Sequence, residues 1–313
     1  MITVAICTWN RSRRLAQTLE CMTRLLLPGK LEWELIIVNN NCTDDTDSVI
    51  NRFADRLPIR RVFEVSSGLS HARNAAVREA SGDYVLWTDD DVLVDRRWLS
   101  EYWKSFKKWP DAAAFGGPVT PWFEGDPPRW LLRVLPQVQG ALALRDFGDT
   151  VIPLALDKRP FGANFAIRSI EQREHLYDPS LGRRPGSMLS GEETEVVRAI
   201  LENGGHGWWI PGASVRHFIP KERQTASYLH RFFRGYGEQF GSRMEDRGDA
   251  KLFGKSRWLW RRAIEAELRY RSHRLTSPPE VWIEDLKRAA EYWGRLRGFA
   301  SNEPKTRLTQ NRP

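Results

Sequence analysis

Cysteine is scarce in this chain of 313 residues, which contains only Cys7, Cys21 and Cys42. An odd, low number without a Cys-x-x-Cys spacing argues against a disulfide framework or a thiolate metal site, and it fits a reducing environment. No run reaches the roughly 18 apolar residues that a membrane-spanning helix needs. No basic segment precedes the apolar run Ile2–Cys7, which predicts a first strand and not a signal peptide. We therefore expect a cytoplasmic protein that is soluble or peripheral at the inner face of the membrane.

Composition and charge limit the class of protein further. Apolar residues make up 41% of the chain, which is typical of a globular protein with a buried core. The length suits one large α/β domain with a C-terminal extension, or two small domains. The net charge of +8 favours nucleic acid, an anionic membrane surface or a diphosphate-bearing substrate as partner, and it does not distinguish among them.

Strand-like and helix-like segments alternate along the first 120 residues. Strands are predicted at residues 2–8, 35–38, 61–65 and 84–87, and helices at residues 12–27, 43–56 and 68–80. Continuous apolar strands that alternate with helices are typical of a parallel sheet with helices on both faces, so the predicted fold class is α/β. Beyond them we predict an irregular loop or subdomain at 120–160, a helix at 191–203, short strands at 208–210 and 213–215, and basic helices from about 223 to a frayed tail.

Polar clusters follow three of the predicted strands, at Thr8–Arg11, Asn39–Asn41 and Thr88–Asp91. Ligands of such sheets bind beyond the carboxyl ends of the strands, which predicts one shared site. The three carboxylates of Asp89–Asp91 repel one another unless a cation or hydrogen-bond donors compensate them. Mg²⁺ and Mn²⁺ bind carboxylates together with substrate phosphates, and alternate residues of an extended segment can converge on one ion. The alternative is a solvated acidic turn that caps a helix at 96–108.

Three further segments each have a chemical and a purely structural interpretation. Glu192 and Glu193 at a helix start favour the helix dipole, and one of them could instead be a general base. His217 follows a predicted strand, where histidine is often structural but is also a suitable additional ligand for manganese-like ions. Arg73 in the first turns of a helix after Gly68 could meet a diphosphate, or it could be a solvated side chain.

Seven segments, in this order along the chain, together resemble the inverting family-2 glycosyltransferases of the GT-A fold. They are Val4–Arg11, Val38–Thr46, Gly68–Asn74, Thr88–Asp91, Phe161–Arg168, Gly191–Glu193, and His217–Pro220 followed by Arg223, Thr225 and Tyr228. The resemblance spans about residues 3–240. It implies a Rossmann-like, mixed and mostly parallel sheet flanked by helices, with a helical C-terminal extension.

The chain departs from the family pattern at two positions. Asn39 stands where the family usually has an aspartate that contacts the base, and asparagine keeps an acceptor oxygen but loses the charge. Glu192 and Glu193 stand where the family usually has Glu-Asp, and the longer second side chain reaches about 1.5 Å farther.

The resemblance implies transfer of a sugar from a nucleoside diphosphate donor, most often UDP-linked, to a glycan or lipid-linked acceptor in polysaccharide or glycoconjugate synthesis. The expected donor-binding residues are Thr8, Asn10, Arg11, Asn39, Arg73, Asp89 and Asp90. Asp91 and His217 are the expected ligands of Mn²⁺ or Mg²⁺, with Glu193 as the base and Glu192 as the fallback.

The expected domain organisation is a GT-A catalytic domain at 1–222 and a basic, tryptophan-rich helical region at 223–313 with a flexible tail. Within the catalytic domain, the nucleotide-binding half is expected at about 1–120 and the acceptor half at about 121–222. Basic residues among aromatics over 223–274 fit either helices on an anionic membrane or ordinary packing against the catalytic domain.

Two other functions are compatible with parts of the sequence. A nucleic-acid-binding protein would use the positive charge and the aromatic residues, but it leaves the acidic triplet unexplained, so we expect no nucleic acid partner. A metal-dependent nucleotidyltransferase or phosphohydrolase would also use paired aspartates on a similar sheet.

Overall fold

A computed structural model describes residues 1–182, 191–241 and 250–298. The helices of this part are α1 (Ser12–Met22), α2 (Thr46–Phe53), α3 (Leu69–Glu79), α4 (Trp98–Lys108), α5 (Arg129–Val138), α6 (Ser169–Glu174), α7 (Glu192–Glu202), α8 (Ala226–Gly241), α9 (Arg257–Thr276) and α10 (Pro279–Gly298). The strands are β1 (Ile2–Thr8), β2 (Trp33–Asn39), β3 (Ile59–Phe63), β4 (Tyr84–Asp89), β5 (Val92–Val94), β6 (Ala114–Gly116), β7 (Val119–Phe123), β8 (Ile152–Pro153), β9 (Asn164–Arg168), β10 (Gly207–Trp209), β11 (Val215–Ile219), β12 (Lys251–Leu252) and β13 (Lys255–Ser256). The frayed tail predicted for the last dozen residues lies outside the described residues.

The chain divides into two compact units. The first comprises Met1–Gly125 and Leu142–Pro220, and the second comprises Asp126–Ala141 and the described residues from Lys221 onward. The segment predicted as a loop or subdomain at 120–160 therefore contributes to both units, and it contains β7, α5 and β8.

The first unit is built on a sheet with the strand order β3-β2-β1-β4-β9-β6-β10-β8. The strands β3, β2, β1 and β4 are parallel, and β9 is antiparallel to both of its neighbours. Nearly every residue of β1 is buried, because both faces of a parallel sheet are covered and its strands are apolar throughout. The α/β fold with a mixed, mostly parallel sheet is thus confirmed.

A small second sheet places a histidine beside the acidic triplet. Its order is β5-β11-β7, and β11 runs antiparallel to β5, with His217 opposite Val92. Val92 directly follows Asp91, so strand pairing brings the two distant segments together. The prediction had put a short strand at 213–215 and His217 after it, whereas the strand is Val215–Ile219 and His217 lies inside it.

The first helix is shorter than its apolar spacing predicted. We predicted a helix over 12–27, but α1 ends at Met22. Leu26 and Leu27 are exposed, so they do not extend the apolar face that anchors the helix. Pro28 also disfavours helical geometry in the residue before it.

In the second unit, α8 and α10 pack closely along their lengths because glycines line their contact. A Cβ atom at Gly237 or Gly294 would collide with the backbone of the opposite helix. Helix α5 joins this unit through an ion pair between Arg133 and Glu280 with an N···O distance of 2.7 Å. Across the described ranges, none of the helices has the length and apolarity required to cross a membrane.

Candidate active site

The acidic triplet lies at the carboxyl end of β4, where the strand ends at Asp89. Asp90 and Asp91 form the turn that follows the strand. Ligand atoms of Asp89, Asp91 and His217 all lie within 4.8 Å of one another. Two carboxylates and an imidazole form a donor set that suits a manganese-like ion, and this is the convergence that the alternation predicted.

The ring of His217 is held in one orientation. Its Nδ1 atom lies 3.1 Å from the carbonyl oxygen of Leu142, which can only accept, so Nδ1 carries the proton. In the neutral ring Nε2 then holds the lone pair, and this atom lies 3.4 Å from Oδ1 of Asp91. A histidine whose second nitrogen donates to a carbonyl is the usual arrangement of a metal ligand.

The side chain of Asp90 is hydrogen-bonded to the end of β1 and to the residue that precedes α1. The hydroxyl of Thr8 donates to Oδ2 of Asp90 at 2.7 Å, and Arg11 donates to Oδ1 of Asp90 at 3.3 Å and to Oδ2 of Asp91 at 2.7 Å. Burial raises the pKa of Asp90 to about 7, and the charge of Asp91 adds to this against the opposing effect of Arg11. Thr8, Arg11 and Asp90 thus form one network of hydrogen bonds, and Arg11 connects it to Asp91.

Thr18 fixes the turn of the triplet, and the sequence analysis missed it. Its hydroxyl donates to the carbonyl of Asp90 at 2.9 Å and accepts from the N–H of Val92 at 3.2 Å. The only available signal was a threonine on the buried face of α1, where its hydroxyl needs partners from the chain.

The loops that follow the neighbouring strands β1 and β2 contact each other. Thr8 and Asn39 pair in register, and Oδ1 of Asn10 accepts from the N–H of Thr43 at 2.7 Å. Nδ2 of Asn39 donates to Oδ1 of Asp47 at 2.8 Å, and its Oδ1 accepts from the N–H of Cys42 at 2.8 Å. An aspartate at position 39 would place a second negative charge against Asp47, which gives a local reason for the asparagine.

The two acids at the start of α7 differ in environment. Glu192 is buried, whereas Glu193 is half-buried and its Oε1 accepts from the N–H of Gly162 at 3.3 Å. Burial raises the pKa of Glu193 to about 7, Glu192 reinforces the shift and Arg73 opposes it. Leu189 and Ser190, which precede this segment, lie outside the described residues.

Arg73 lies with these acids in the interior. It is only 3% exposed, and its guanidinium carbon lies 5.2–5.5 Å from the ring centroids of three aromatic residues, Trp87, Phe165 and Tyr177. One Arg73 nitrogen donates to the carbonyl of Gly162 at 3.4 Å, and the other lies 3.9 Å from Oε1 of Glu192. Burial disfavours the charge, but Glu192 and other anionic neighbours outweigh it and raise the pKa of Arg73. Arg73, which we expected to bind the donor diphosphate, is therefore a direct neighbour of Glu192 and close to Glu193.

Asp89 connects the two groups electrostatically. After burial, Glu192 and Arg73, its charge also contributes to the raised pKa of Glu193. The hydroxyl of Thr88, the residue before Asp89, donates to the carbonyl of Ala163 at 2.9 Å, and the neighbouring Gly162 donates to Glu193. The acid pair therefore lies next to the group of Asp89, Asp91 and His217. In a group-transfer reaction, a metal ion at this position would act on the leaving group and a general base on the attacking hydroxyl.

Asn164 links α4 to the segments around Pro118 and Ala213 through hydrogen bonds. The sequence analysis did not predict this structural role. Its Oδ1 accepts from Nε1 of Trp98 at 2.8 Å and from the hydroxyl of Tyr102 at 2.9 Å. Its Nδ2 donates to the carbonyls of Pro118 at 3.0 Å and Ala213 at 2.7 Å. Both hydrogens and both lone pairs of this fully buried amide are used.

Comparison with known proteins identifies similar sequences. The family model described as Glycosyl transferase family 2 matches residues 3–148. The succinoglycan biosynthesis protein ExoM of Rhizobium meliloti (strain 1021) is 25% identical over 233 residues, which cover 73% of this chain and 70% of that protein. The glucosyl-dolichyl phosphate glucuronosyltransferase of Haloferax volcanii is 23% identical over 248 residues, which cover 78% and 77%.

Solved structures share the fold. The mannosyltransferase PcManGT from Pyrobaculum calidifontis, in complex with GDP-Man and Mn²⁺, aligns with a TM-score of 0.52 at 20% identity, over 77% of this chain and 61% of that one. TarS 1-349 from S. aureus, in complex with UDP, aligns with a TM-score of 0.54 at 13% identity, over 95% and 90%. These likenesses confirm the fold expected from the sequence.

Proposed function

We propose that this chain, which belongs to glycosyl transferase family 2 and is a glycosyltransferase, transfers a sugar from a UDP-linked donor to a hydroxyl of a glycan or lipid-linked acceptor, with inversion at the anomeric carbon. The observation that carries the proposal is the group of Asp89, Asp91 and His217, whose ligand atoms lie within 4.8 Å of one another in the same site as the acid pair. Family membership separates this function from the nucleotidyltransferase, phosphohydrolase and nucleic-acid alternatives.

The donor nucleotide is proposed to bind at the ends of β1 and β2. Thr8, Asn10, Arg11 and Asn39 lie at this edge, which is where sheets of this type bind their ligands. Asp89 is half-exposed at the end of β4 and would face the ribose or the sugar. TarS with UDP or UDP-GlcNAc, and PcManGT with GDP-Man, supply the precedent for a nucleotide-linked donor on this fold.

A divalent cation, Mn²⁺ or Mg²⁺, fits the donor set of Asp91 and His217 with Asp89 beside them. Two buried residues that offer one oxygen and one oriented nitrogen lone pair satisfy the ligand chemistry of such ions. When bound, the cation supplies positive charge against the leaving diphosphate. Arg11 holds Asp91 from the opposite carboxylate oxygen, so Oδ1 remains directed toward His217.

Glu193 is proposed to take the proton of the acceptor hydroxyl. The hydroxyl oxygen forms a bond to the anomeric carbon as the bond from that carbon to the diphosphate oxygen breaks, and the nucleotide leaves with the electron pair. A pKa of about 7 lets Glu193 accept a proton efficiently near neutral pH. Arg73 acts as a positioning residue, because it contacts both Glu192 and the carbonyl of Gly162. Glu192 is the alternative base.

A binding experiment tests the donor and the cation together. Ligands that bind only the folded state raise the melting temperature, so we expect UDP with Mn²⁺ to stabilise the protein more than UDP with a chelator. GDP with Mn²⁺ and a DNA oligonucleotide serve as comparison ligands. Equal stabilisation by UDP with and without the cation, or a larger effect of DNA, would contradict the proposal.

A second proposed partner is an anionic membrane surface, through α9. Ile264, Leu268 and Leu275 are 48%, 63% and 88% exposed, and their spacing puts them on one side of the helix. Arg257 and Arg261 fall on the same side by helical geometry, and the helix carries six arginines against two glutamates. An exposed apolar stripe among arginines is typical of helices that lie on anionic lipid.

Vesicle flotation tests this partner. We expect the protein to float with phosphatidylcholine vesicles that contain phosphatidylglycerol, to bind neutral vesicles weakly, and to be released by salt. Leu268→Glu should reduce flotation, whereas Leu156→Glu, at an exposed leucine of the first unit, should not. Equal flotation of the two variants would show that α9 does not bind the vesicle surface.

A further inference from the structure

Arg145 and Arg159, here called the arginine pair, lie beside the proposed base. The guanidinium carbon of Arg145 is 3.8 Å from the ring centroid of Phe161. Phe161 directly precedes Gly162, whose N–H donates to Glu193 at 3.3 Å. Arg159 is two residues before Phe161 on the same segment. The geometry therefore puts two arginines next to the segment that holds Glu193.

The arginine pair has no ion-pair partner among the described residues. In the part of the chain that the structure describes, neither arginine has a carboxylate at ion-pair distance, and Nε of Arg145 is buried without a hydrogen-bond partner. Burial lowers the pKa of Arg145, and the like charge of Arg159 lowers it further, while Glu193 acts in the opposite direction. Half-buried like charges are unfavourable unless a bound anion compensates them.

We propose that the arginine pair binds an anionic group, a phosphate or a carboxylate, on the acceptor close to its reacting hydroxyl. This inference rests on the proposed function, in which Glu193 faces the acceptor. Guanidinium groups bind such oxygens through two parallel hydrogen bonds, and the guanidinium of Arg145 packs over the ring of Phe161. An acceptor that brings its own negative charge would neutralise the pair as it enters.

The donor diphosphate is the competing occupant. Leu142, three residues before Arg145, contacts His217, so the pair is not remote from the cation ligands. The acceptor is favoured because the arginine pair adjoins the segment of Gly162 and Glu193, while Asp91 and His217 already provide for the diphosphate. The experiment must therefore measure binding of nucleotide and acceptor probes separately.

Isothermal titration calorimetry, with UDP and Mn²⁺ present, tests the inference by measuring the affinity of the protein for three acceptor probes. The probes are octyl glucoside as the neutral ligand, octyl glucuronide as a carboxylate and octyl phosphate as a phosphate. We expect at least one anionic probe to bind about tenfold more tightly than octyl glucoside, because an Arg–anion pair in a half-buried site contributes on that order. The stronger of the two anions identifies the chemical source of the charge.

Variants assign the effect to the arginine pair. Arg145→Gln and Arg159→Gln should each reduce binding of the preferred anion about tenfold and leave octyl glucoside unchanged, while Arg145→Lys should retain part of the preference. Lys158→Gln, at an exposed cation next to Arg159, is the matched control and should bind as the original protein does. Melting temperatures of all variants show that they are folded.

Two results would overturn the inference. One is an anionic probe that binds no better than octyl glucoside, or whose affinity survives both arginine substitutions. The other is a tenfold loss of UDP–Mn²⁺ affinity in Arg145→Gln, which would assign the pair to the donor diphosphate. Failure of the original protein to bind UDP with Mn²⁺ is a different outcome, because it would contradict the proposed function itself.

Discussion

Nε2 of His217 lies 3.4 Å from Oδ1 of Asp91, and both side chains are almost completely buried. Pairing of β5 with β11 produces this relationship, because it sets His217 opposite Val92, the residue that follows Asp91. The carbonyl of Leu142 then selects the tautomer in which Nε2 is free to bind a cation. A donor set built by strand pairing is rigid, so its removal should have a direct effect on cation binding.

Asp91→Asn should weaken Mn²⁺ binding in the presence of UDP by roughly 100-fold or more, because it removes an anionic ligand. Loss of a residue that only orients a metal ligand already costs about 10–100-fold. Titration of transfer rate and of UDP affinity against Mn²⁺ measures this. Asp83→Asn is the control, since Asp83 is exposed and pairs with the N-terminus. If the Asp91→Asn variant kept the full transfer rate in the presence of a chelator, the proposed cation site would be wrong.

The transfer rate should depend on pH through Glu193. A base works in its deprotonated form, so kcat should rise as the pH increases through about 7, the pKa of Glu193, and then level off. Glu193→Gln should lower kcat by about 10²–10⁴-fold. Rate profiles from pH 5 to 9 test both statements.

Two further variants separate the acids of α7. Glu195→Gln changes a half-buried carboxylate that pairs with Arg198, and it should leave kcat unchanged. If Glu192→Gln, and not Glu193→Gln, abolishes the rise in rate near pH 7, Glu192 is the base.

Gly162→Ala should impair the chemical step more than donor binding. An added Cβ would lie 2.6 Å from a guanidinium nitrogen of Arg73, so that side chain must shift, and it would lie in van der Waals contact with Cδ of Glu193 at 3.4 Å. Displacement of a catalytic group by about 1 Å can cost about 100-fold in rate. We expect kcat to fall by about 10–100-fold with little change in UDP affinity.

Gly29→Ala is the matched substitution, because no atom lies within 4 Å of the position its Cβ would take. Steady-state kinetics of both variants make the comparison. If Gly162→Ala had the kcat of Gly29→Ala, then the packing of Arg73 and Glu193 around Gly162 would not control the reaction.

Asn164→Ala should destabilise the first unit strongly. The substitution leaves the indole of Trp98, the hydroxyl of Tyr102 and two carbonyls without their partner in a fully buried position. Each unsatisfied buried group costs about 1–3 kcal/mol, and we expect a total loss of about 3–5 kcal/mol after local relaxation. Urea unfolding measures the loss, with Asn51→Ala at an exposed helical position as the control. A loss below about 1 kcal/mol would show that water replaces the amide.

Much of the nucleotide-binding half could be predicted because its signals are local. The apolar runs around Val4, Ile36 and Leu86 are strands in the structure, and each ends where polar residues begin. Strand alternation likewise predicted that Asp89 and Asp91 face one way, because that rule concerns neighbours in sequence.

The remaining contacts join residues far apart in the chain, and periodicity carries no information about them. The sequence alone determined the α/β alternation, the acidic triplet at a strand end and the family resemblance. Only the tertiary structure decided that β11 pairs with β5 to bring His217 to Asp91, that Arg73 lies inside with Glu192, and that α5 packs in the second unit. The physical reason is that these positions depend on which buried polar groups find partners across the fold, and Asn164 shows that one amide can satisfy four such groups at once.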